Sequence, residues 1–328
     1  MGGDFAPGNV VEGVIQVLDR VRNRIEILLV GPEETLREEL RRRHKNESYC
    51  QIINASQVIE MHDGATSPLK QKKDSSIAVG VLLHKEGKAD AFVSAGNTGA
   101  VMSASTMILG RIGGVSRPTI GAFFPSDQGV CLLVDAGTNV DCKPQHLYEF
   151  AVMGSIYARE MFRYENPTVG LLNIGEEDSK GTETARETYQ LLKGSMLNFI
   201  GNVEGRDILH GKSQVVVCDG FVGNIILKFA ESVPAFFKNS VKRYLEHRPI
   251  RTLLSGTMRG TLRGALKTLD YEEYGGIPLL GVNGVTIIGH GKSTAKAIRN
   301  MILKAEEMVQ KNINQRIHDA LTVSEGHR

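Results

Sequence analysis

The chain has no tryptophan among its 328 residues and only four cysteines, Cys50, Cys131, Cys142 and Cys218. No two of them form a CxxC pair and none stands at a metal-like spacing from histidine, so neither a zinc scaffold nor a disulfide framework organises the sequence. Cys131 and Cys218 lie inside apolar runs and read as reduced core residues, which points to a reducing compartment. A large charge excess is also missing. The net charge is +2, which gives no reason to expect a nucleic-acid partner. No signal-peptide pattern opens the chain, and no uninterrupted apolar run is long enough to span a bilayer, so a cytoplasmic protein is expected. HExxH and GxSxG are absent, and no GxGxxG follows a strand, which disfavours a zinc protease, a serine hydrolase and a dinucleotide site.

What remains is a glycine-rich α/β pattern. Hydrophobic content of 41% and charged content of 23% are ordinary for a globular protein, and 36 glycines fall mainly between periodic segments. Strand-like runs at 25–30, 90–94, 119–124, 130–134, 168–172, 199–200, 215–217 and 285–288 alternate with helical segments at 33–43, 76–85, 98–109, 145–161 and from 221. A further helix runs from the last strand to about Ile317. Alternation of this kind predicts a three-layer α/β/α sandwich, Rossmann-like, with a mostly parallel sheet. No repeat or linker breaks it, so residues 1–328 read as a single catalytic α/β domain with a protruding helical segment at 229–275.

Six strand ends carry one style of turn: SAGNTG, DAGTNVDCKP, NIGEEDSKG, GNVEGRD, DGFVGN and GHGKS. Asn, Asp and Gly in a single turn are ordinary cap chemistry. Six such turns at strand ends offer backbone N–H groups and helix starts suited to an anion. They also carry Lys143, Lys180, Lys228, Lys292 and His290 toward one rim, which favours a phosphate-containing substrate. GHGKS resembles the end of a nucleotide-binding P-loop, but Thr286 stands where that motif needs its first glycine. Cys142 is weighed as an acyl-carrying nucleophile against a plain turn cysteine.

The segment from Lys238 to Lys267 differs in kind. It holds eight basic residues and one acidic one, Glu246, for a local charge of +7. Leu254, Met258, Leu262 and Leu266 fall four apart beside Arg259, Arg263 and Lys267, which suits an anionic membrane or an acidic protein.

Together SAGNTGA, LLVDAGTNVDCKP, LLNIGEE, NFIGNVEGRDI, VVVCDGFVGNIILK, YGGIPLLGVNG and GHGKS resemble the bacterial phosphate acyltransferases of phospholipid synthesis over essentially the whole chain. The resemblance implies transfer of a fatty acyl group from acyl carrier protein to inorganic phosphate, giving acyl phosphate. It further implies a fold similar to phosphotransacetylases, a cytoplasmic homodimer in peripheral contact with the membrane or a membrane acyltransferase, and no metal or organic cofactor. Family members usually open with a short apolar strand before the AMGGD motif, whereas this chain starts at Met1-Gly2-Gly3-Asp4.

On that reading Lys180, Asn224 and His290 are the catalytic candidates. Asn97, Thr98, Gly99, Asp135, Asn139, Glu177, Asn202, Asp207, Asp219, Gly220, Lys292 and Ser293 are candidates for binding substrate or phosphate. Asp219, Glu177 and Asp207 orient the cations or cap helices. Leu254, Met258, Arg259, Leu262, Arg263 and Leu266 are candidates for the membrane or carrier-protein contact. Alternatives from other classes are transfer from acyl-CoA, a nucleotide-binding kinase, and a membrane-recruited scaffold.

Overall fold

The structure is a computed structural model that describes residues 1–21, 24–46, 49–245 and 274–325. In chain order the elements are α1 (Gly8–Val21), β1 (Leu28–Gly31), α2 (Glu33–Arg42), β2 (Gln51–Asn54), α3 (Ser67–Gln71), α4 (Ser76–Lys85), β3 (Ala91–Ser94) and α5 (Thr98–Ala104). They continue with β4 (Thr119–Ser126), β5 (Gly129–Val134), α6 (Pro144–Phe162), β6 (Val169–Leu172), α7 (Glu183–Lys193), β7 (Phe199–Val203), α8 (Asp207–His210), β8 (Val215–Val217) and α9 (Gly220–Leu245). The last four are β9 (Ile277–Leu280), β10 (Val285–Ile288), α10 (Ala295–Gln310) and α11 (Ile313–Glu325). Among the described residues the chain groups into two compact units, the first within 1–121, 156–165 and 274–325, the second within 122–155 and 166–245.

In the first unit α1 places Val11, Val14, Ile15 and Leu18 on one stripe, and all four are buried with Leu29, Leu36 and Leu40. Gly13 lets α10 come close, because a Cβ there would lie 2.6 Å from Ile298 Cβ. β1 and β2 form a parallel pair. β3 runs parallel to β10, and β9 lies antiparallel to both β10 and the start of β4. β9 makes the sheet mixed, and Pro278 within it hides it from a sequence reading because proline demotes a strand. The expected terminal helix is two helices. Asn312, at φ 52°, ends α10 in the left-handed region that asparagine tolerates.

In the second unit β5, β8, β6 and β7 are neighbours in that order, all parallel. Leu132, Leu133 and Val134 of β5 and all of β8 are fully buried, as expected of strands covered on both faces. α6 packs closely on them. A Cβ on Gly154 would lie 2.8 Å from Val215 and 3.0 Å from Val134.

Candidate active site

Parallel neighbours end on the same edge, so the second unit gathers the turns after β5, β8, β6 and β7 at one rim. The turn after β5 is built around Asp135, whose side chain is fully buried. Its carboxylate accepts from the backbone N–H of Gly137 at 3.2 Å, Thr138 at 3.1 Å and Asn139 at 2.6 Å, and from Asn139 Nδ2 at 2.9 Å. Asp135 therefore folds the turn, with Asn139 held inside it. The hydroxyl of Thr138 is buried and has no hydrogen-bond partner among the described residues.

The turn after β8 locks onto the first. Gly220 N–H donates to Asn139 O at 2.7 Å, and a Cβ on Gly220 would stand 2.7 Å from Asn139 N. Gly223 is tighter still, since its Cβ would fall 1.8 Å from Asp135 O. Only glycine allows α9 to start there. Asp219 caps the helix by accepting from Val222 N at 2.9 Å. Asn224 is exposed on the first turn of α9, 3.2 Å from where a Gly137 Cβ would be.

The turn after β6 carries Lys180. Asn173 closes it from both ends, accepting from Ile174 N at 2.8 Å and donating through Nδ2 to Lys180 O at 3.1 Å. Lys180 N–H donates to Glu177 O, which also receives Asn202 Nδ2 at 2.7 Å. Asn202 thus ties the β7 end to the loop, and its Oδ1 is buried without a partner among the described residues. Lys180 itself is exposed and makes no ion pair among the described residues. By contrast Lys212 is paired with Glu176 and Asp207, and Lys228 with Glu231. Asp207 also accepts from Glu204 N at 2.9 Å, a turn role.

In the first unit, Asn97 donates to Glu60 O, Met61 O and Asp63 O and accepts from Ala100 N, so its amide is occupied by backbone on both sides. It orders the 60–63 loop and caps α5. Thr98 is exposed beside it, and a Cβ on Gly99 would meet Ala65 at 2.9 Å. In GHGKS, His290 Nδ1 accepts from Lys292 N at 3.1 Å, and Ser293 Oγ donates to His290 O at 2.6 Å. Ser293 is buried, whereas His290 and Lys292 are exposed. The structure therefore groups Asp135, Asn139, Glu177, Lys180, Asn202, Asp207, Asp219, Gly220 and Asn224 in the second unit. Asn97, Thr98, Gly99, His290, Lys292 and Ser293 belong to the first.

Thr138 and Asn173 were not singled out by sequence, although both sit inside turns that were. Leu254, Met258, Arg259, Leu262, Arg263 and Leu266 lie outside the described residues. Cys131 and Cys218 are buried as expected, and burial pushes the Cys131 thiol up to about 12. Burial, then the charges of Asp219 and Asp135, raises Cys218 well above the usual thiol range. Cys142 is half-buried and donates to Asn139 O at 3.3 Å.

Residues 1–316 match the family described as fatty acid synthesis protein. The chain is 48% identical over 326 residues to a phosphate acyltransferase of Chlorobaculum parvum, covering 97% of this chain and 96% of that one. It is 45% identical over 323 residues to a phosphate acyltransferase of Dictyoglomus turgidum, covering 98% and 96%. Among solved structures it resembles the EutD phosphotransacetylase of Staphylococcus aureus, with a TM-score of 0.61, 17% identity and 92% and 91% coverage. A phosphotransacetylase of Streptococcus pyogenes is as similar, with a TM-score of 0.61, 18% identity and the same coverage.

Proposed function

The chain belongs to the phosphate acyltransferase family, and we propose that it moves a fatty acyl group from the thioester of acyl carrier protein to inorganic phosphate, giving acyl phosphate for phospholipid synthesis. A phosphate oxygen attacks the thioester carbonyl and forms a new C–O bond. The tetrahedral oxyanion then collapses, the C–S bond breaks, and the carrier thiolate leaves and takes up a proton. Such a reaction needs the phosphate charge balanced, the carbonyl polarised, and both held in place.

The observation that carries this reading is Lys180: an exposed cation with no ion-pair partner among the described residues, on a loop pinned by Asn173 and Asn202. We assign it to polarising the carbonyl or guiding phosphate. Asn224 and Asn139 orient phosphate or the tetrahedral intermediate. In the first unit, Thr98, Lys292 and His290 are candidates in their own right for binding phosphate, with His290 also a proton-transfer candidate. Asp219, Glu177 and Asp207 hold the turns.

The same proposal places the enzyme in the cytoplasm as a homodimer in peripheral contact with membrane. It is supported by the local charge of +7 from Lys238 to Lys267 and by the exposed apolar residues of α9, Phe229 and Phe236 among them. Length and composition alone would let α9 cross a bilayer, but Asn224, Lys228, Glu231 and Lys238 interrupt it.

Phosphate-dependent release of thiol from acyl carrier protein thioester tests the reaction, with acyl-CoA as the competing donor. Lys180→Ala should lower acyl phosphate formation by at least about a hundredfold, on the scale of losing one oxyanion donor, with unchanged circular dichroism. Near-normal turnover in that variant removes Lys180 from the mechanism. Faster transfer from acyl-CoA than from the carrier protein rejects the proposed donor.

A further inference from the structure

The polar turns of the second unit are flanked by apolar side chains that face solvent. Val140 follows the Asp135 turn and is 59% exposed, and Ile174 in the Lys180 loop is 82% exposed. Phe221 and Ile225, on the first turn and a half of α9, are 58% and 54% exposed, with Val222 between them also exposed. The strand order β5-β8-β6 makes these three turns successive neighbours, one strand spacing (about 4.8 Å) apart. Asn224 sits between Phe221 and Ile225 in the sequence, so one helical turn presents an amide and two large apolar groups. Large exposed apolar groups in Gly- and Asp-rich turns are a poor fit to a solvated rim.

We infer that Val140, Ile174, Phe221, Val222 and Ile225 form a subsite for the acyl chain of the donor and set the preference for long chains over short ones. This rests on the acyl-transfer reading above. A thioester carbonyl is joined directly to methylenes, so a site that polarises the carbonyl must offer apolar surface within a few bonds of it. Each methylene taken out of water favours binding about fourfold. Five apolar side chains at the polar rim give the first methylenes a place to be buried. Phe229, Val233 and Phe236 continue the same side of α9 at three- and four-residue spacing, so the surface leads away from the polar turns without a break.

The test compares kcat/KM for palmitoyl and butyryl carrier-protein thioesters at saturating phosphate. In Phe221→Ser, Ile174→Ser and Ile225→Ser the palmitoyl-to-butyryl ratio should fall about tenfold, mainly through KM for the long chain. In Phe236→Ser, farther along the helix, it should hold. Unchanged ratios in all three variants, or an equal fall in Phe236→Ser, overturn the subsite. The second outcome gives the helix side to a membrane or a second copy of the chain. A readout independent of turnover uses the absence of native tryptophan. Ile225→Trp carries a single indole whose emission should shift to the blue on adding palmitate and not butyrate, and no shift counts against the subsite. If the unaltered chain releases no thiol on phosphate addition while the indole still shifts, the transfer reading fails and the subsite stands.

Discussion

Changing Asp135 to Asn replaces one carboxylate oxygen by an NH2 group and alters little else in shape. Oδ2 of Asp135 receives Asn139 N at 2.6 Å and Asn139 Nδ2 at 2.9 Å, while Oδ1 receives Gly137 N at 3.2 Å and Thr138 N at 3.1 Å. Turned toward the Oδ2 position, the NH2 faces Asn139 N and Nδ2; turned toward Oδ1 it faces Gly137 N, while Thr138 N keeps Oδ2 at 3.2 Å, so at least one N–H donor loses its acceptor. At least one charge-assisted hydrogen bond of about 1.5–3 kcal/mol is lost, and the donor it served stays buried. Removing a buried charge offsets part of this, because the carboxylate had itself been taken out of water. The expected cost is about 1–3 kcal/mol. Asp219→Asn is the control. It caps only Val222 N, and asparagine caps a helix as well as aspartate, so its cost should stay below about 0.5 kcal/mol. Urea unfolding of the three proteins, with slopes compared, measures both. A loss below about 0.5 kcal/mol in Asp135→Asn would show that the turn is held by something other than this carboxylate.

Two further outcomes follow from the first unit and from the thiols. The 56–74 segment is fastened by two carboxylates. Asp74 is held below the usual range by hydrogen bonds from Ser56 Oγ and then Ser56 N, and Asp63 by its bond with Lys72 and then Glu60 N. A depressed carboxylate stabilises the fold above its unfolded pKa, near 3.9, and that contribution is lost as pH falls through its folded value. Hydrogen-exchange protection of this segment, taken relative to the intrinsic rate at each pH, should therefore fall below about pH 4, and Asp74→Asn should reproduce the loss at neutral pH; equal protection in both proteins at neutral pH refutes it. Mass spectrometry after iodoacetamide at neutral pH should find Cys142 modified first and the buried Cys131 and Cys218 last. As a plain turn cysteine, Cys142 should be replaceable by Ser with phosphate-dependent transfer kept within a few-fold, and a trapped acyl group on Cys142 would make it the nucleophile instead.

Much of this was legible in sequence because α/β chemistry repeats itself along the chain. A continuous apolar run such as Val215-Val216-Val217 can only be a strand buried on both faces, and the Gly, Asp and Asn after it mark where the sheet ends. β2 and β9 escaped for local reasons: Gln51-Ile52-Ile53-Asn54 offers two apolar residues, and Pro278 removes a ladder donor from the other. The roles of single amides were beyond reach for a different reason. Asn97, Asn139 and Asn202 look alike in their turns, yet their partners are set by residues far away in the chain. Asn97 spends its amide on Glu60, Met61, Asp63 and Ala100, whereas Asn202 bonds Glu177 O and leaves Oδ1 unpartnered among the described residues. Loss of activity alone therefore means different things at the two positions. In Asn97→Ala it accompanies a loosened 60–63 loop, which hydrogen exchange would register. In Asn202→Asp the bond to Glu177 O is what changes, so the Lys180 loop moves while the strands beneath it stay buried. A sequence motif names the turn, but which of its amides faces a substrate is decided by the fold that uses up the others.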